Sequence, residues 1–289
     1  MGARFDTITF LSDYGTDDEF VGVVKSVIRS IAPHVTVVDL THEITAYDVR
    51  AGSLTLGRAA QYLCPGVVLA VVDPGVGTER RAIAVEVGGG QSYLVGPDNG
   101  LLASAVAMSG GATAAVELTS LDHQLRAPGA TFAGRDVFAP AAAHLCMGVP
   151  LADLGQPVDP LSLLPGLLPL SRDEDGTLIA EVLWVDRYGN CQLNVDPDEV
   201  AAFGRRVQLR WSDDVRTADR ADTYQRINPG QVGLVTDSYG MLSVCMGLRS
   251  AADELSMPVG TEVTLAPPTD DEPAVSTPVA FTTTRSTTP

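Results

Sequence analysis

Val67-Val68-Leu69-Ala70-Val71-Val72-Asp73-Pro74-Gly75-Val76-Gly77-Thr78-Glu79-Arg80-Arg81 is an apolar run that stops at an acid and gives way to a glycine-rich loop ending in two arginines. Its apolar part shows no alternation and is mostly valine, the pattern of a parallel strand buried on both faces. Ligands of α/β sheets gather at the carboxyl ends of such strands, which makes the loop the first place to look for a site. Its glycines allow close backbone approach, and Asp73, Arg80 and Arg81 lie a few residues apart. Two readings stay open from these residues: a built site, or a hairpin-like loop with a surface ion pair worth ~0–1 kcal/mol.

Outward from this strand the same unit recurs. Residues 7–12 predict a buried strand, and a turn with Asp13 and Gly15 leads to a helix whose Phe20, Val23, Val24, Val27, Ile28 and Ile31 keep helical spacing. Residues 35–40 predict a strand, 51–62 a helix, 82–87 and 93–95 short strands around Gly88-Gly89-Gly90, and 137–147 another helix. The fold class expected for residues 1–165 is therefore α/β with a largely parallel central sheet. Beyond Pro150 the composition changes, and a leucine- and proline-rich stretch at 161–170 ends in the charged turn 172–175. Residues 172–266 carry short β runs at 179–185, 207–211, 233–236, 242–245 and 262–265, which predict a smaller all-β barrel or sandwich. The Thr/Pro-rich tail, 267–289, is expected to be disordered.

With 289 residues, 45% of them hydrophobic, the chain can bury one large core or two modest ones. A formal charge of −17 repels phosphate backbones and anionic lipid, so nucleic acid and membrane surfaces are poor partners and a small molecule is the expected ligand. Cys64, Cys146, Cys191 and Cys245 form no Cys-x-x-Cys pair and read as reduced core residues; no metal site is expected. The apolar run 8–11, flanked by Asp6 and Asp13, is too short and too acidic for a signal peptide, and no run reaches the ~18 residues of a membrane span, so a cytoplasmic protein is expected. Neither Gly-x-Gly-x-x-Gly after a strand nor a Walker A sequence occurs, which argues against nicotinamide and P-loop chemistry.

Asp13 can accept hydrogen bonds from vicinal hydroxyls such as those of a ribose, or can be a plain N-cap or turn residue. Asp186-Arg187-Tyr188-Gly189-Asn190 and Asp237-Ser238-Tyr239-Gly240 read singly as turns. Six segments in order change that reading: Phe10-Leu11-Ser12-Asp13-Tyr14-Gly15, Val38-Asp39-Leu40-Thr41-His42-Glu43-Ile44, Val72-Asp73-Pro74-Gly75-Val76-Gly77, Gly96-Pro97-Asp98-Asn99-Gly100, Thr131-Phe132-Ala133-Gly134-Arg135-Asp136 and Asp186-Arg187-Tyr188-Gly189-Asn190. Together they resemble the S-adenosyl-L-methionine (SAM) hydroxide adenosyltransferases, relatives of the SAM-dependent fluorinase and chlorinase. The resemblance spans about residues 5–265. It implies cleavage of SAM by water to adenosine and L-methionine, with SAM as substrate, no cofactor, and a homotrimer whose sites lie between subunits. Carried onto matching positions, it puts Asp13 on the ribose, Asp186 and Ser238 on the methionine amine and carboxylate, and Asn190 against adenine. Tyr47 becomes a packing residue of the pocket, and Asn99 and Tyr188 are further substrate-binding positions.

The resemblance also implies a water-activating Asp, Arg and His. The first two fall on Asp73 and Arg80, and the third on Ala133, which has no such function. The halogenases resemble this chain but have tyrosine and threonine where Asp73 and Arg80 stand. A carboxylate repels a halide and accepts a proton or hydrogen bond from water, so hydrolysis is favoured over halogenation. Loss of the imidazole predicts slower hydrolysis and makes a non-catalytic SAM- or adenosine-binding protein the rival reading. His123 lies in the preceding loop and reads as solvated, with approach to the site as the alternative.

Overall fold

The computed structural model describes residues 4–167 and 169–268. They divide into two compact units, the first ending at residue 168 and the second beginning at 169. The tail expected to be disordered lies outside the described residues from 269 onward.

In the first unit, β1 (Thr7–Ser12), β2 (Thr36–Thr41), β3 (Val67–Val71), β4 (Ala82–Val87), β5 (Ser92–Pro97), β6 (Ala112–Glu117) and β7 (Gln156–Val158) form one sheet in the order β2-β1-β3-β5-β4-β6-β7. The half holding β2, β1, β3 and β5 is parallel, and β4, β6 and β7 join antiparallel. All five residues of β3 are buried, because alternate side chains enter two different cores. Leu69 and Val71 join Ile8 and Phe10 under α1 (Phe20–Ile31) and α4 (Ala139–Cys146). Val68 and Ala70 join Leu11, Leu56 and Leu101 on the other face, beneath α2 (Val49–Ala59) and α3 (Ala103–Met108). That two-sided burial is why the run lacks alternation.

The second unit holds β8 (Arg172–Glu174), β9 (Thr177–Val185), β10 (Cys191–Leu193), β11 (Arg206–Trp211), β12 (Asp214–Ala221), β13 (Val232–Thr236), β14 (Leu242–Met246) and β15 (Glu262–Ala266). Their order is β10-β14-β13-β12-β11-β15-β9-β8, and β9 also pairs with β10, closing a barrel that leaves β8 as an added hairpin strand. Leu178, Ala180 and Val182 alternate into its core with Val207, Leu209 and Trp211, and the Trp211 indole donates to the Leu255 carbonyl at 3.0 Å.

Several elements were not expected from sequence. Charged side chains on exposed positions hide β12, and the alanine-rich β6 has only Thr113 and Val116 as β-branched residues. Cys64 corrects an expectation: it is exposed, beyond the short helical turn that follows α2, whereas Cys146, Cys191 and Cys245 are buried thiols. No helix among the described residues is long and apolar enough to cross a membrane.

Candidate active site

Asp73 follows β3, and the loop after it folds back on itself. The Val76 amide donates to the Asp73 carbonyl at 3.2 Å, and the Thr78 hydroxyl to the Gly75 carbonyl at 2.7 Å. This brings Arg80 round so that Nη2 donates to Asp73 Oδ2 at 2.5 Å. The pair is buried, with Asp73 only 5% and Arg80 12% exposed in their side chains, which overturns the surface-pair reading. Arg81 turns the other way, onto Asp98 at 2.5 Å and the Ser162 carbonyl at 2.8 Å, so only the first arginine belongs to the site. Burial raises the Asp73 pKa and outweighs the opposing pull of Arg80, so the net shift is upward. Asp73 Oδ1 and Arg80 Nε are buried without a hydrogen-bond partner among the described residues. The pair thus keeps unused hydrogen-bonding capacity on both the carboxylate and the guanidinium, which suits a small polar molecule at its edge.

Asp73 lines a cavity of about 250 Å³ together with Asp13, Tyr14, Phe20, Ala46, Tyr47, Val76, Thr131, Phe132, Ala133 and Gly134. Asp13, Asp73, Tyr47 and Ala133 are thus brought together from four separate segments. Asp13 does not cap α1, whose N-cap is Glu19 without a side-chain bond. Instead Asp13 Oδ2 accepts the Tyr47 amide at 2.9 Å and holds Tyr47 at φ +69, a conformation unusual for a non-glycine residue. Behind it, the buried His42 receives the loop. Its Nδ1 lies 2.8 Å from Ser12 Oγ, its carbonyl accepts the Gly15 amide at 2.8 Å, and its Nε2 is 3.2 Å from Asp39 Oδ1. In the sequence His42 stands only within the resembling segment Val38-Asp39-Leu40-Thr41-His42-Glu43-Ile44, and no local signal there marks its support of the Asp13 loop.

Ala133 stands at the start of a π-helical turn, Gly134–Phe138, that runs into α4. Such turns are frequent at functional sites, and this one sets Phe138 under the Arg80 guanidinium at 5.4 Å. Asn99 is not on the cavity wall: its amide donates to the Val72 carbonyl at 2.9 Å and its oxygen accepts the Leu101 amide at 3.1 Å, pinning the strand end beside Asp73. His123 is not on it either. It is half-buried, bonded to Ser120 at 3.0 Å and packed edge-on against His144, which corrects the solvated-loop reading.

In the second unit, the turns 186–190 and 237–241 are built alike. In each, the Asp Oδ1 accepts the amides two and four residues on, from Tyr188 and Asn190 in one and from Tyr239 and Met241 in the other. Each Asp amide also bonds the carbonyl four residues on, at 3.0 and 2.8 Å. Gln192 links the two turns by donating to Asp237 Oδ2 at 2.6 Å, and Trp184 meets Tyr239 edge-on. Asn190 Nδ2 reaches back to Asp186 Oδ2 at 2.8 Å, while Tyr188 and Ser238 are exposed. The shared signal, Asp-x-Tyr-Gly, is present twice in the sequence; the partners Gln192 and Trp184 carried none. Gly189 has φ +80, and a β-carbon there would lie 2.1 Å from Ser250 Oγ. Gly189→Ala is therefore expected to destabilise the fold by about 1–3 kcal/mol, read as a lower Tm.

Among the described residues no group of three or more His, Cys, Asp or Glu is arranged to hold a metal ion. An aromatic-walled cavity with a buried acid and arginine at the carboxyl end of a parallel strand defines an α/β protein with a small-molecule site of enzyme type. Family models agree on a narrower class: the SAM hydroxide adenosyltransferase N-terminal domain matches residues 8–155 and its C-terminal domain residues 180–264. The chain belongs to the SAM hydroxide adenosyltransferase family. It is 44% identical to the (R)-S-adenosyl-L-methionine hydrolase of Salinispora tropica over 253 residues, covering 88% of this chain and 95% of that one. A fluorinase from an Actinoplanes species is 27% identical, over 89% of this chain and 96% of its own. An uncharacterized conserved protein of Thermotoga maritima of known structure superposes with a TM-score of 0.83 at 34% identity, over 90% of this chain and 99% of its own.

Proposed function

We propose that this chain hydrolyses SAM to adenosine and L-methionine. The observation that carries the reading is Asp73, a buried carboxylate that lines a nucleoside-sized cavity, pairs with Arg80 and keeps one oxygen without a hydrogen-bond partner. Water held there attacks the ribose C5′ in line with the sulfonium. The C5′–O bond forms, the C5′–S bond breaks, methionine leaves as a neutral thioether with the electron pair, and Asp73 takes up the proton. Arg80 favours the developing hydroxide. Attack on a cation by a hydroxide-like oxygen neutralises charge, so a dry pocket assists, and alignment supplies much of the rest. A halide would meet the Asp73 carboxylate, which disfavours halogenation.

In the same reading Asp13, already fixed by Tyr47, accepts from the ribose hydroxyls, and Tyr47 packs on the sugar. Asp186 and Ser238 hold the methionine amine and carboxylate, Tyr188 lies against the substrate, and Asn190 faces adenine. Asn99 acts through the strand end it pins. Membership of the family supports the further reading of a homotrimer whose sites are completed by a neighbouring subunit. Ala133 offers no proton-carrying group, so turnover is slower than in a chain with histidine there. The same alanine favours, as second reading, a protein that binds SAM or adenosine without turnover. Chromatography of a SAM incubation with chloride present decides between these: adenosine supports hydrolysis, 5′-chloro-5′-deoxyadenosine halogenation, and unchanged SAM with calorimetric binding the non-catalytic reading.

A further inference from the structure

Tyr14 lies between the ribose-side Asp13 and Gly15, at the end of β1. Its ring is clamped by Phe10, Phe20 and Phe132 at centroid distances of 6.5, 5.6 and 5.7 Å. These contacts ask only for an aromatic ring, and a phenylalanine would make all of them. The hydroxyl nevertheless reaches the cavity, over the α-carbon of Gly134: a β-carbon on that residue would be 2.2 Å from the Tyr14 oxygen. Glycine at 134 is what admits it. Among the described residues this hydroxyl makes no hydrogen bond, and it is not one of the fully buried unpartnered polar atoms, so it is left open toward the cavity that Tyr14 lines. Burial first, then the nearby carboxylates of Asp13, Asp73 and Asp136, push its pKa well up, which keeps the phenol neutral.

We infer that the Tyr14 hydroxyl is a third anchor of the reacting water, beside the place where Ala133 contributes no polar side chain; this rests on the hydrolase reading above. One O–H of the water donates to Asp73 Oδ1 and the other to the Tyr14 oxygen. With both protons directed, a lone pair is left to face C5′. No proton passes to Tyr14, whose task is orientation, and a water held by one bond alone would be free to turn about it.

The test compares the parental chain with Tyr14→Phe, which keeps the ring and removes only the oxygen. Expected is a fall in kcat of about tenfold, the equivalent of one lost hydrogen bond in the transition state. KM for SAM and the calorimetric Kd for adenosine should stay within roughly twofold, and Tm should be unchanged or higher. A kcat within about twofold of the parent overturns the inference, as does a loss confined to KM. Absence of adenosine in the parental incubation is a different result: it overturns the hydrolase reading itself before the variant is compared.

Discussion

Asp73→Asn is expected to lower kcat for SAM hydrolysis by about 10²-fold or more while SAM still binds. Asparagine keeps the shape of the side chain and one oxygen facing Arg80, but it cannot take the proton released as C5′–O forms. Asp73→Ala would add a second injury, because Arg80 would be left buried without its counter-charge, at a cost of about 3–5 kcal/mol to the fold. The asparagine variant separates the two, with kcat reading the chemistry and Tm the pairing. The pH–rate profile of the parent gives an independent check. Only the ionised carboxylate can accept the proton, and burial has raised its pKa, so activity should fall on the acid side at a pH above the usual carboxylate range. In Asp73→Asn that limb should disappear from the residual rate. A variant that keeps full kcat, or a parent whose rate persists through the carboxylate range, would remove Asp73 from the reaction.

How much of this was legible in the sequence depends on whether a residue's role is local. β3 was readable because a strand buried on both faces has to be apolar throughout, and Asp73 because it is the first residue to break that run. The loop's spacing showed that an arginine could return to the acid but not which one. Chain path decides that Arg80 pairs with Asp73 while Arg81 secures Asp98 and Ser162. The two Asp-x-Tyr-Gly turns are local hydrogen-bond devices and were recognisable as turns, yet their link through Gln192 depends on β10 pairing with β14. Tyr14 was least legible of all. A tyrosine between aspartate and glycine looks like turn chemistry until the end of β1 and the π turn at 134–138 meet. β12 was hidden for the opposite reason, because most of its side chains face away from any core.

Ala133→His should raise kcat by about 10²-fold with little change in KM, the usual contribution of a positioned acid–base group. Position 133 opens the π turn and lines the cavity with Asp73, so a side chain grown there enters the space where water would react. An imidazole titrates near neutrality and can relay the proton that Asp73 must otherwise hold until bulk solvent takes it. Tyr14 cannot do this: its phenol is kept protonated and neutral, so it can orient water but not accept a proton from it. The two groups therefore predict different signatures in one assay. Tyr14→Phe lowers kcat without altering the shape of the pH profile, whereas Ala133→His raises kcat and adds a limb near the imidazole pKa, roughly 6.5. If kcat does not rise, the proton needs no second carrier here, and position 133 drops out of the water-activating set while Asp73, Arg80 and Tyr14 remain sufficient for it.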